Sequence, residues 1–175
     1  MSDDGVLVAR AVAGDATAFD ALVRQHQSAV RGFLRRLTGH DHALADDLAQ
    51  ETFWHAWRKK EQFSEGAFLS WLYAIAWSRF LMETRARKRA RAREDSAALL
   101  QPVSESGSSA RLDLERALAR VAPVESAAIT LCLGLGHSHE EIAAILKLPL
   151  GTVKSHIARG REKIKLMLEG VDHGA

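Results

Sequence analysis

A single cysteine, Cys132, stands among 175 residues, so no internal disulfide framework staples the chain and a reducing compartment is expected. Long hydrophobic runs are missing too. Nothing approaches the ~18 apolar residues of a membrane span, and the opening "MSDDGVLVARAVAG" has acids where a secretory leader has cations. The expectation is a cytoplasmic protein that is not itself a membrane protein. The histidines, including His137 and His139, are scattered rather than clustered with other donors, so neither a metal nor another cofactor is expected. Strand signals are nearly absent, while apolar residues recur at helical spacing almost throughout, which predicts an all-α fold.

A large excess of either charge is also missing, with 24 Lys and Arg against 22 Asp and Glu. The formal net charge of +2 says little, whereas its uneven distribution says more. With 47% hydrophobic and 26% charged residues, the chain has the composition of an ordinary globular protein.

From Gly5 to Leu37 the apolar spacing predicts two helices broken near "GDAT", with Asp15 or Thr17 capping the second and Gly39 closing it. In "DHALADDLAQETFWHAWRKK", steps of about 100° per residue put Leu44, Ala45, Leu48, Ala49, Phe53, Ala56 and Trp57 on one side. Asp47, Gln50, Glu51, Trp54 and Arg58 share the other. A Trp amid charges has two readings: half-buried against a neighbouring helix, or an interface anchor ringed by polar groups. Both stay open at this point.

The next helix, "AFLSWLYAIAWSRFLMETRARKRARAR", is expected to bury a stripe of Phe68, Trp71, Leu72, Ile75 and Met82. Tyr73, Trp77, Phe80, Thr84, Arg87 and Lys88 then project from the opposite side. From Arg79 to Arg93, a stretch that includes Arg85, seven Lys or Arg face one Glu. Aromatic side chains beside such a track describe a surface for single-stranded nucleic acid. An aromatic stripe that is simply core, ending in a solvated basic tail, is the plainer alternative.

"EDSAALLQPVSESGSSA" has Pro, Gly and Ser but no sustained apolar period, so residues 94–110 are expected to be a flexible linker. It divides the chain into two small helical domains, residues 1–93 and 111–175. The second begins with two helices broken around Pro123 and continues into "SHEEIAAILKLPLGTVKSHIARGREKIKLML". There Ser138 and Glu141 fit a capping box, "KLPLGT" stops the helix, and Thr152 is expected to cap the next one. Val153, Ile157, Gly160, Ile164 and Leu168 form a buried face, leaving Lys154, Ser155, Ala158, Arg159 and Glu162 outward, with Arg161 among five cations set against one acid between Lys154 and Lys165. This is the layout of a helix–turn–helix, whose second helix lies in the major groove.

"HEEIAAILKLPLGTVKSHIARGREKI" resembles the promoter-reading helix–turn–helix of bacterial extracytoplasmic-function sigma factors, and "ADDLAQETFWHAW" with "FLSWLYAIAWSRFLMETRARKR" resembles their N-terminal domain. The resemblance implies a chain that directs core RNA polymerase to promoter DNA, and an anti-sigma factor, membrane-associated, that restrains it. It further implies polymerase binding by Asp47, Leu48, Gln50, Glu51 and Phe53, to which the helical geometry adds Trp54. Tyr73, Ser78 and Met82 occupy positions that read the minus-ten strand, beside the aromatic and basic residues Trp77, Arg85, Arg87 and Lys88. Lys154, Ser155, Ala158 and Arg159 occupy positions that meet the minus-thirty-five duplex, beside Thr152 and Arg161. The family commonly has Asn at position 78, Asp or Asn at 82, and Arg at 132 and 156, where this chain has Ser78, Met82, Cys132 and His156.

Two other functions stand beside this one. A two-domain helix–turn–helix regulator acting without sigma activity would need an effector pocket or a modification site, and the N-terminal half shows neither a glycine-rich loop nor a convergent ligand set. An enzyme would need Asp46, Asp47 and Glu51 to converge, yet Asp46 and Asp47 leave their helix in different directions. No catalytic residue is assigned.

Overall fold

Asp15 starts a 22-residue helix of the N-terminal bundle by accepting a hydrogen bond from the Ala18 N–H at 3.1 Å. Arg10 braces it with an ion pair of 2.7 Å, and that guanidinium, with the Ala18 N–H, holds the Asp15 carboxyl below the ordinary carboxylate range. The computed structural model, which describes residues 3–39, 41–63, 66–94 and 121–171, forms α-helices wherever the apolar period runs. These are α1 (Asp3–Val12), α2 (Ala16–Leu37), α3 (His42–Lys59), α4 (Phe68–Glu94), α5 (Pro123–Ile129), α6 (His139–Leu146) and α7 (Leu150–Val171). Among the described residues there is no strand, and no helix is long and apolar enough to cross a membrane.

The punctuation follows the side chains. Gly39, at φ 62°, takes the left-handed conformation just past α2, and Asp41 then caps α3 by accepting from Leu44 N–H at 3.0 Å. Pro123 opens α5, where its missing N–H costs nothing. Ser138 and Glu141 close a reciprocal capping box at the start of α6: Glu141 N–H donates to Ser138 Oγ at 3.2 Å, and Ser138 N–H donates to Glu141 Oε2 at 2.8 Å. Those bonds hold the Glu141 carboxyl below its ordinary range. Lys147 ends α6 in the left-handed region at φ 55° and sets the turn into α7. Thr152 does not cap α7, contrary to expectation. The helix begins two residues earlier, and the Pro149 carbonyl accepts from both Thr152 and Val153 N–H groups.

Helices α1 to α4 pack around Leu22, Val30, Phe33, Leu34 and Leu72, all fully buried. Helices α5 to α7 pack around Leu131, Ile142 and Val153. At Gly160 α7 comes so close to α5 that a Cβ there would collide with Ile129. The two groups then join: α2 packs against α5 and α4 against α6, and their buried residues form one continuous core. Residues 95–120, which contain most of the expected linker and the helix expected before Pro123, lie outside the described residues, as does the side chain of Leu168.

This union changes the reading of α4. Tyr73, Trp77 and Phe80, expected to project outward, are buried, while Met82, expected in the core stripe, is exposed. A single-stripe reading assumes one neighbour, but α4 is flanked by α2 and α3 on one side and α6 on another, so its buried arc is wider. Phe33 packs on one face of that arc against Tyr73, with ring centroids 5.1 Å apart.

Candidate nucleic-acid interface

Helix α3 divides as its sequence period requires. Ala45, Leu48, Ala49, Thr52, Phe53 and Ala56 are buried, and Asp47, Gln50, Glu51, Trp54 and Arg58 face solvent. Of the residues assigned to polymerase binding, Leu48 and Phe53 are therefore buried in the core. Trp54 is 53% exposed. The Arg58 guanidinium lies 4.6 Å over its ring and His55 meets it edge-on at 4.8 Å, so the indole is held in place while most of its area stays wet. Burial first, and the charge of Arg79 second, lower the pKa of His55, favouring a neutral imidazole beside the indole.

Glu51 is tied across to α4. Arg79 Nε donates to Glu51 Oε2 at 2.9 Å, and its Nη1 lies 3.3 Å from Met82 Sδ. One guanidinium thus links an acid on the α3 face to an exposed thioether on α4. Asp46 turns the other way, 3.5 Å from Arg31 and 3.6 Å from Arg35 on α2. The acids Asp46, Asp47 and Glu51 are not brought together, and among the described residues no group of His, Cys, Asp and Glu is placed to hold a metal ion.

The α4 surface is split. Ser78, Met82, Arg85, Arg87 and Lys88 are exposed, whereas Tyr73 and Trp77 are not. The Tyr73 ring meets His137, just before α6, edge-on at 5.5 Å, and Trp77 stacks on Phe80 at 5.8 Å. Burial pushes the Tyr73 phenol up to about 12, partly countered by Arg36. Arg87 is held by Glu83 at 2.8 Å and Asp41 at 3.5 Å, and the hydrogen bond to Glu83 raises its pKa further. Arg79 and Arg87 of the basic run are thereby engaged within the protein, as is Arg89, whose Nε donates to the Arg85 carbonyl at 3.3 Å, while the Arg85 and Lys88 side chains lie on the outer surface.

Helix α7 matches its period closely. Val153, Ile157, Gly160 and Ile164 are buried; Lys154, Ser155, Ala158, Arg159 and Arg161 are exposed; Thr152 is half-buried. Ser155 Oγ donates back to the Gly151 carbonyl at 2.9 Å, leaving its lone pairs for a donor. Behind this face is a group that the sequence did not single out. Glu125 on α5 is 5% exposed, and its carboxylate meets Lys163 Nζ at 2.6 Å and Arg159 Nε at 3.3 Å. An acid inside the apolar run "VESAAITL" was the available sign of it.

Residues 22–90 match the family model described as Sigma-70 region 2, and residues 111–164 match that described as Sigma-70, region 4. The chain is 36% identical over 183 residues to the RNA polymerase sigma-H factor of Pseudomonas aeruginosa, an alignment that covers 95% of this chain and 94% of that protein. It is 38% identical to the ECF RNA polymerase sigma factor SigE of Mycolicibacterium smegmatis, covering 84% of this chain but only 60% of that longer protein. Among solved structures it is similar to the sigma factor RpoE in complex with the anti-sigma factor NepR from Bartonella quintana. The TM-score is 0.74 at 29% identity, covering 86% of this chain and 96% of that one. It is similar too to CnrH in complex with the cytosolic domain of CnrY, with a TM-score of 0.73 at 27% identity, covering 95% and 97%.

Proposed function

As the chain belongs to the extracytoplasmic-function sigma factors of the sigma-70 family, we propose that it binds core RNA polymerase in the cytoplasm and directs promoter-specific initiation, without enzymatic activity of its own. The observation that carries this is the outward face of α7. A polar and basic row of Lys154, Ser155, Arg159 and Arg161 stands exposed opposite the buried Val153, Ile157, Gly160 and Ile164, on the second helix of a helix–turn–helix. Thr152, Lys154, Ser155, Ala158, Arg159 and Arg161 approach the minus-thirty-five duplex.

The exposed part of α3, Asp47, Gln50, Glu51 and Trp54, supplies the polymerase contact, with Leu48 and Phe53 as its supports. Ser78, Met82, Arg85, Arg87 and Lys88 meet the minus-ten strand together with Tyr73 and Trp77. The last two reach it only after α6 leaves α4, because a base cannot stack on a buried ring. Initiation therefore includes separation of the two halves of the chain. The similar structures are those of RpoE in complex with an anti-sigma factor and of CnrH in complex with the cytosolic domain of CnrY. By analogy an anti-sigma factor, membrane-associated, holds this chain until released.

The test is a titration of the protein against core polymerase on a size-exclusion column, followed by transcription from host promoter fragments with purified components. Co-elution and start-site selection support the reading. A helix–turn–helix regulator that works without polymerase gives duplex binding and no co-elution.

A further inference from the structure

We propose that Glu125 is a positioning residue for duplex reading, a buried carboxylate that fixes the Arg159 guanidinium with its outer edge toward the groove; this rests on the assignment of α7 as the recognition helix. A carboxylate taken out of water is costly unless it is paired and hydrogen-bonded. Glu125 is paired with cations from the neighbouring helix, one at each oxygen: Lys163 Nζ donates a hydrogen bond to Oε2 at 2.6 Å, and Arg159 Nε forms an ion pair with Oε1 at 3.3 Å. Gly160 lies between those two cations in sequence, and its missing side chain lets α7 approach α5 closely enough for both to reach the carboxylate.

The geometry at Arg159 gives the ion pair a consequence outside the core. Its Nε edge turns inward to Glu125, and Nη2 lies 3.0 Å from His156 Nδ1. A guanidinium has no acceptor, so in a hydrogen bond at that contact Arg159 donates and Nδ1 accepts. Held at both points, the planar group keeps its remaining N–H groups on the outer edge, and the side chain is 57% exposed. That edge is the fork that recognises the O6 and N7 of guanine, or two phosphate oxygens. An arginine with a free stem would reach the same partners only after losing rotamer freedom, so fixing it beforehand sharpens discrimination.

The sign of the effect separates positioning from plain electrostatics. A carboxylate near DNA repels phosphates, so neutralising it without any other change tightens binding to every duplex. If Glu125 positions Arg159, its loss instead lowers the preference for the right duplex over the wrong one. The experiment uses the full chain and two duplexes, one selected by the wild-type protein from random sequences and the other its scrambled counterpart. Wild-type protein sets the preference ratio. Glu125→Gln is expected to lower that ratio roughly tenfold, concentrated at one base position, while affinity for the scrambled duplex stays level or rises.

Glu125→Asp, which keeps the charge but draws the carboxylate back, should lower the ratio in the same direction, and it carries the test if circular dichroism shows that the Gln variant does not fold. In an Arg159→Ala background, Glu125→Gln should change the ratio no further. An unchanged ratio, an equal loss on both duplexes, or full additivity with Arg159→Ala overturns the proposal. A wild-type chain that selects no duplex at all overturns the recognition-helix assignment itself, and Glu125's role with it.

Discussion

The rings of Tyr73 and His137 stand at 89° to each other, one on α4 of the N-terminal half and the other at the threshold of α6 in the C-terminal half. This contact joins the two sigma regions through residues that a promoter-bound chain cannot keep together, if Tyr73 is to stack on a base.

Tyr73 is the protein's single tyrosine, so its ionisation can be followed without interference from another phenol. Its midpoint by ultraviolet absorbance should lie near 12, against 10.0 when exposed, because burial disfavours the phenolate. A raised folded pKa means that the native state holds the proton longer. The stabilising share is complete below pH 10 and is lost as pH rises toward 12. Tyr73→Phe should abolish that component of the pH dependence. It should also leave stability equal or higher, since the buried hydroxyl has no hydrogen-bond partner. A midpoint near 10 in the native protein would show that α6 does not cover the ring in solution.

Trp54→Ala should weaken binding to core polymerase by ~2 kcal/mol or more, the usual loss when an interface Trp anchor is truncated. With half of its surface already exposed, the thermal midpoint should hardly move. Titration against labelled polymerase, paired with thermal circular dichroism, checks both halves. Unchanged affinity removes Trp54 from the interface.

Lys154→Ala and Arg159→Ala should each weaken binding of the full chain to a minus-thirty-five duplex. If the lost contact is to phosphate, the slope of log affinity against log salt falls by ~1; if it is to a base, preference at one position relaxes by ~1–3 kcal/mol. Anisotropy titrations at several salt concentrations distinguish the two. No change in either variant means that another face of α7 meets DNA.

Gly160→Ala should destabilise the C-terminal half even though Ala is the better helix former by ~1 kcal/mol. The added methyl collides with Ile129, and overpacking a core typically costs ~1–3 kcal/mol. Ile129→Val, which removes the colliding methyl group, should restore part of the loss in the double variant. Urea midpoints of the four proteins measure the coupling, and a stabilised Gly160→Ala would show that Ile129 has room to turn.

The sequence made α3 and α7 legible because each has one packed side, so a single stripe describes it. The Ser138–Glu141 box was equally plain, being a local pattern of donors and acceptors. Tyr73, Trp77 and Phe80 were misplaced because α4 packs against several helices at once, among them α6 from more than fifty residues further along the chain, which no local period registers. Thr152 was misread for a smaller reason: the Pro149 carbonyl starts α7 before any side-chain cap is needed. The Glu125 network was not visible because an isolated acid near the start of a helix looks like ordinary dipole complementarity until its partners are seen.

The two nucleic-acid surfaces are in different states of readiness. In the closed chain the outer row of α7 is open, whereas the Tyr73 and Trp77 rings on α4 are shut away. On the proposed assignments this fixes an order of events. Groove contact needs no rearrangement and can form and dissolve rapidly, while strand capture waits on a separation that must first release buried apolar area. A mechanism built this way scans with its fast hand and commits with its slow one, so chance encounters with unpaired DNA find nothing to grip.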